Sequence, residues 1–404
     1  MADRFGAAIS AARPRVVAAL AGRLRDLDLA EDAFADASAA ALVAWPNQTP
    51  RDPAAWLWRA ALRRAIDAKR RAAVRGRAQL DAPEPLPTPE EALMAADEPI
   101  PDERLKLIFV CCHPAIGADA RAALTLKVVC GLSTDRLARA FFVGEPAMLQ
   151  RITRAKKKIA GAGVPFEVPG REAWPERLEA VLSTLEIAYA QAYEDAALAG
   201  ETAGFAAEVL RLSGLLAELM PKEPEVLGLA ALVRFAEARR PARLDDLGAM
   251  VPPPEQDTGL WRKDLIAEGA TLLDRAALLR RSGPRQILAA IHATHCARLE
   301  TGTTAWNDIA ALYDVLAELR PHAATAVNRA VAIGEAHGAE TGLAALAKID
   351  GVEAWLPYQA ARAALSARAG HAAEAAHAYR AALALNPPPA ERLYLERRLA
   401  ALAG

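Results

Sequence analysis

Apolar residues recur along this chain at three- and four-residue spacings almost from end to end, with no long alternating run of valine, isoleucine and threonine. That period predicts amphipathic helices. Two are expected over 5–44: the first carried by Val16, Val17, Leu20 and Leu24, the second running from Leu29 to Trp45 and opening on Glu31, Asp32 and Asp36. Carboxylates in a first turn suit the helix dipole, so those three need a second reason to count as a site. The polar loop 46–53 closes on Asp52-Pro53, an N-cap followed by a first-turn proline. In the next helix, 54–74, Trp56, Arg59, Arg63 and Arg70 fall along adjacent turns. Rings beside cations fit single-stranded nucleic acid, while core tryptophans with solvated arginines would give the same letters.

Helices are also expected over 103–115, ended by Pro114, and over 119–129. The stretch 132–160 then reads as two short helices joined by a tight turn. Ser133 is a fair N-cap for the first, whose Leu137, Ala138 and Phe141 form one stripe, and Val143-Gly144-Glu145 breaks it. Pro146 sits in the first turn of the second helix, where Met148, Ile152, Ala155 and Ile159 make the inward stripe. Gln150, Arg151, Thr153, Arg154, Lys157 and Lys158 are left outward. Early polar residues that reach base edges and later cations that meet phosphates make a recognition helix, although cations also suit any helix C-terminus.

From about 166 onward long amphipathic helices alternate with prolines. Three similar phrases end at Pro221, Pro321 and Pro387, which lie 100 and 66 residues apart, near multiples of a 33- or 34-residue helical repeat. Gly370, Ala375, Tyr379, Ala382 and Pro387 match a tetratricopeptide helix pair, and 239–257 reads as an inserted loop. Stacked helix pairs present a concave face to a protein or peptide.

Composition narrows the choice. The 404 residues suggest roughly two or three domains. Apolar content is 53%, much of it alanine, with 5% aromatics, which favours helix packed on helix. Formal net charge is only -1, yet charge is segregated: basic clusters at 59–75 and 151–158 flank 81–103, which holds eight acidic residues and no basic one. Low hydrophobicity and one-signed charge predict a flexible tether there. No signal peptide or apolar run of membrane-spanning length is read, and four cysteines suit a reducing compartment, so a cytoplasmic protein is expected. Cys111, Cys112, Cys130 and His113, and the helical set His292, His295 and Cys296, are candidate metal sites, but neither has a convincing ligand set, so no metal or cofactor is expected. No phosphate-cradling loop or nucleophile–base arrangement supports an enzyme.

In order along the chain, Ala30-Glu31-Asp32 with Asp36, then Trp56-Leu57-Trp58-Arg59, Ala65-Ile66-Asp67 and Arg70-Arg71, resemble region two of a group IV, extracytoplasmic-function sigma factor of bacterial RNA polymerase. Gly131-Leu132-Ser133, Leu137-Ala138, Val143 and Arg151-Ile152 with Arg154-Ala155 are similar to region four, and Phe109 to Pro114 resembles a phrase of the subgroup with a tetratricopeptide-like extension. Ala35, Arg63, Arg136, Phe142, Ala147 and Leu149 depart from the family's usual residues.

The resemblance implies an all-α chain: a region-two module at 5–75, an acidic linker at 76–102, a helix-turn-helix region-four module at 103–162 and a helical-repeat regulatory domain at 166–404. The partner would be RNA polymerase core through its clamp and flap regions, with Glu31, Asp32 and Asp36 on the core and Asn47, Arg51, Trp56, Arg59, Arg63 and Arg70 on the minus-ten DNA. Gln150, Arg151, Arg154, Lys157 and Lys158 would bind the minus-thirty-five element, and the repeats would take a regulatory protein or peptide. A stand-alone helix-turn-helix regulator with a repeat-type sensor domain is the alternative, but it leaves the acidic helix and the helix at 54–74 without a purpose.

Overall fold

The computed structural model describes residues 2–46, 50–76, 103–141, 143–170, 172–195 and 203–402. Among them every regular element is helical, apart from one isolated bridge between Leu244 and Met250. The chain divides into two compact units, 1–191 and 192–404.

The first unit opens with α1 (Ala2–Leu24), α2 (Leu27–Ala44) and α3 (Pro53–Gly76), which pack against one another. Val16, Val17 and Leu20 from α1, Phe34 and Ala37 from α2, and Leu57 and Leu62 from α3 are buried at their centre. Fully burying a side chain of this size contributes about 1.5–3 kcal/mol, so a few such residues outweigh any local propensity. Capping follows the letters: Asp26 accepts from the Leu29 N–H at 3.0 Å, and Asp52 accepts from the Ala55 N–H at 3.0 Å, one residue ahead of Pro53.

Next come α4 (Arg104–Cys111), α5 (Ala118–Val128), α6 (Thr134–Ala140) and α7 (Glu145–Gly161). Ser133 stands just before α6, and Pro146 lies in the first turn of α7. The expected α7 stripe is the buried one: Met148, Ile152, Ala155 and Ile159 are at most 8% exposed. In α6 Leu137 and Ala138 are buried and Phe141, just past its end, is half-buried. The tether expected over 76–102 falls, from 77 on, outside the described residues.

α8 (Trp174–Asp195) is stitched to α4, which carries the first unit past the change of composition at 166. Arg177 donates to the Phe109 carbonyl at 2.8 Å, and the rings of Trp174 and Phe109 lie 5.5 Å apart.

The second unit contains α9 (Ala203–Leu219), α10 (Pro224–Arg239), α11 (Lys263–Leu278), α12 (Pro284–Cys296), α13 (Arg298–Thr301), α14 (Trp306–Leu319), α15 (Ala323–His337), α16 (Ala339–Leu346), α17 (Leu356–Arg368), α18 (Ala372–Ala384) and α19 (Pro389–Ala401). Most pack on the next long helix in sequence. Each of the three proline-ended phrases is the end of a helix, α9, α14 and α18 in turn. Ala375, Tyr379 and Ala382 are buried, and Gly370 adopts φ +83° between α17 and α18, a conformation a side chain would strain. Helices α15 and α16 meet so closely that a Cβ on Gly342 would lie 2.7 Å from the Gly334 Cα.

Between α10 and α11 the expected loop is an ordered strap with 3-10 turns at Arg240–Ala242, Pro253–Glu255 and Thr258–Leu260. Asp245 caps it by accepting from the N–H groups of Leu247 and Ala249, and α19 ties it down through Arg397 to Asp245 and Arg398 to Glu255.

Candidate nucleic-acid interface

Because the apolar stripe of α7 turns one side inward, the other side is fixed to face solvent. Gln150, Arg154, Lys157 and Lys158 are exposed and Arg151 is half-buried. None of these four cations pairs with a carboxylate among the described residues. Gln150, Arg151, Arg154 and Lys158 line an open groove of about 370 Å³, whose far wall is Gly117 and Ala120 at the start of α5. Gly117 is the N-cap of α5, so the partial positive charge of that helix start lies beside the groove. A groove of this composition suits a phosphate-bearing chain.

Trp56, Arg59, Arg63 and Arg70 share one face of α3, within about 60° at 100° per residue. Arg51, Arg59 and Arg63 are exposed, while Trp56 and Arg70 are half-buried. The Trp56 ring lies edge-on to buried Trp45, centroids 5.7 Å apart, so it has a fixed base and one free side. Trp58 is instead a core residue, 3% exposed. Asn47 lies outside the described residues.

Of the four acidic residues of α2, the three expected at the polymerase clamp part company. Asp32 and Asp36 are exposed on one face, Asp36 within 3.6 Å of Arg64. Glu31 is only 12% exposed and turns inward, meeting Arg13 of α1 at 2.7 Å and Lys156 of α7 at 2.7 Å, while Lys156 also meets Asp28 at 2.6 Å. Arg13 reaches on toward the Lys127 carbonyl at 3.4 Å and fills the space beside Gly131, where a Cβ would lie 2.4 Å from the Arg13 Cδ. Gly131 also has φ +77°, so a side chain there would be strained and would displace Arg13. This cluster joins the α1–α3 bundle to the α4–α7 group. Burial lowers the pKa of Arg13 against the pull of Glu31, and it lowers that of Lys127. For Lys156 burial works against the charge as well, yet the Glu31 and Asp28 carboxylates outweigh it and the pKa rises.

Arg13 and Lys156 were not anticipated as functional or structural partners. A signal existed for Lys156: it stands about 40° from Ile152 on the helical wheel, at the edge of the buried stripe and apart from the outward cations. Arg13 had one too: it lies within about 60° of Val16, Val17, Leu20 and Leu24, on the inward stripe of α1.

The cysteines serve the core. Cys111 and Cys112 are buried, Cys112 Sγ lies 3.3 Å from Thr125 Oγ1, and burial pushes both thiols up. His113 accepts from the Ala115 N–H at 3.1 Å.

Residues 8–75 match Sigma-70 region 2, and residues 177–277 match a family of unknown function (DUF6596). An uncharacterized protein of Rhizobium meliloti (strain 1021) is 38% identical over 411 residues, covering 98% of this chain and 95% of the relative. No solved structure matches.

Proposed function

The chain belongs to one family with that Rhizobium meliloti protein and carries Sigma-70 region 2, and on this footing we propose that it is a sigma factor of the extracytoplasmic-function class whose C-terminal helical domain regulates it. The observation that carries the reading is the coincidence of the region-2 match, 8–75, with the α1–α3 bundle. Region 2 supports polymerase binding and promoter recognition.

In this reading Asp32 and Asp36 face basic residues of the polymerase clamp. The α3 face with Trp56, Arg59, Arg63 and Arg70, together with Arg51 and Asn47, takes the opened minus-ten strand. Unstacking a base costs a few kcal/mol, which stacking on Trp56 and backbone contacts to the arginines offset in part. Helices α6 and α7 act as the helix-turn-helix of region four, with Gln150, Arg151 and Arg154 at base edges and Lys157 and Lys158 on phosphates. A bidentate base contact contributes about 1–3 kcal/mol of discrimination. Glu31 joins the clamp surface only where its pairs to Arg13 and Lys156 open. The helices after α8 form a tetratricopeptide-like stack that takes a regulatory protein or peptide.

Size-exclusion chromatography with purified polymerase core tests the reading. Comigration is expected, and Asp32→Ala with Asp36→Ala should weaken it. A chain that elutes apart from core and binds duplex DNA alone is the stand-alone regulator instead.

A further inference from the structure

The second unit holds a buried cation with no acid to match it. Arg239, in the last turn of α10, is 8% exposed. Its Nη2 donates to His292 Nδ1 at 2.9 Å, and its Nε is buried without a hydrogen-bond partner. No carboxylate pairs with it among the described residues; Glu237, two residues earlier, grips Arg240 instead at 2.6 and 2.7 Å. The carbonyls ending its own helix favour a positive charge but leave Nε unpaired.

What surrounds Arg239 is donors. Guanidinium has no lone pair to offer, so His292 Nδ1 is the acceptor and its proton sits on Nε2 as a donor. His295, one turn on, stands edge-on to Trp306 with ring centroids 5.3 Å apart. Tyr313 of α14 bonds to Asn328 through its hydroxyl. Helices α10, α12 and α14 pack in succession, which brings these side chains to one place, and His292, His295 and Tyr313 each keep part of their surface open to solvent. Burial lowers the pKa of His292 well below the usual imidazole value and that of His295 to about 3, and the charges acting on them, Arg239 and Arg298, are cations that push the same way. Burial raises Tyr313 to about 12. The site therefore carries one fixed positive charge and neutral hydrogen-bond donors.

We propose that Arg239, His292, His295 and Tyr313 form a receptor for a small organic anion, held by its carboxylate or phosphate group, through which the C-terminal unit senses a metabolite. An anionic oxygen on the guanidinium would neutralise a charge that is costly to bury unpaired. The site stands apart from the sigma reading, since a ligand could bind here whatever the first unit does.

Isothermal titration calorimetry of the full chain, with inorganic phosphate and separately with acetate, tests it. Saturable one-to-one binding of one or both is expected, weaker by about tenfold or more in Arg239→Gln. Phosphate alone identifies a phosphate-bearing ligand, acetate alone a carboxylate. Should circular dichroism find Arg239→Gln unfolded, His292→Phe, which removes the acceptor that orients the guanidinium, carries the same expectation. Absence of saturable binding by both anions, or undiminished affinity in a folded variant, overturns the proposal.

Discussion

Among the described residues, cations without a carboxylate partner occur in both units, on the outer face of α7 in one and at the end of α10 in the other. Arg154, Lys157 and Lys158 keep their hydration, so standing unpaired costs them little and leaves them free for a polyanion. Arg239, at 8% exposure, has traded water for an imidazole and a missing partner. Lys156 shows the third outcome: one residue from Lys157, at 16% side-chain exposure, it found two acids on α2. The same residue types thus become a candidate binding face, a proposed receptor floor or an internal staple according to helical phase and to what the neighbouring helix brings.

Charge reversal on the open face breaks this contrast hardest. Arg151→Glu with Arg154→Glu should cut promoter-dependent transcription on the order of 100-fold or more, since two contacts of about 1–3 kcal/mol become repulsions. Circular dichroism should find the thermal midpoint nearly unchanged. Glu31→Gln should do the reverse. Breaking a buried pair costs about 3–5 kcal/mol, and partial exposure here lowers that to about 2 kcal/mol, which thermal melting should read as a fall of about 4–8 °C.

The staple also has a pH signature. The Lys156 pKa is raised on folding, so its stabilisation is complete below the ordinary lysine value of 10.5 and is lost as pH climbs through the raised value. Lys156→Met should remove that alkaline loss from denaturant titrations. The receptor floor responds at the other end of the scale. Because His295 falls from 6.5 to about 3 on folding, its share of stability is present above pH 6.5 and is lost toward pH 3. His295→Phe should flatten the acid limb relative to the parent chain. The smallest expected effect is Lys157→Ala, which should weaken DNA binding evenly across sequences and reduce the salt slope by about 1.

Much of the fold was legible because helical phase is a local property. The stripe Met148, Ile152, Ala155 and Ile159 could be read letter by letter, as could the cap at Asp52 and the helix ends before Pro221 and Pro321. The site was legible as faces: Trp56, Arg59 and Arg63 share one, and Gln150, Arg151 and Arg154 another. What stayed hidden was pairing across distance. Lys156 reaches Asp28 over 128 residues, which turned Glu31 from an expected surface acid into a packed one. Likewise the spacing of His292, His295 and Cys296 was visible as a ligand-like row, but Arg239 lies 53 residues from His292 on another helix, and no periodicity announces it. Without Arg239 the row lacked a ligand set convincing enough for a metal; beside it, the proposed ligand is an anion.

Run-off transcription with purified polymerase core, on DNA from upstream of the chain's own coding sequence, decides whether this chain directs initiation. A discrete start site is expected that appears only when this chain is added and disappears with Arg151→Glu and Arg154→Glu. Transcripts that are the same with and without the chain would contradict it.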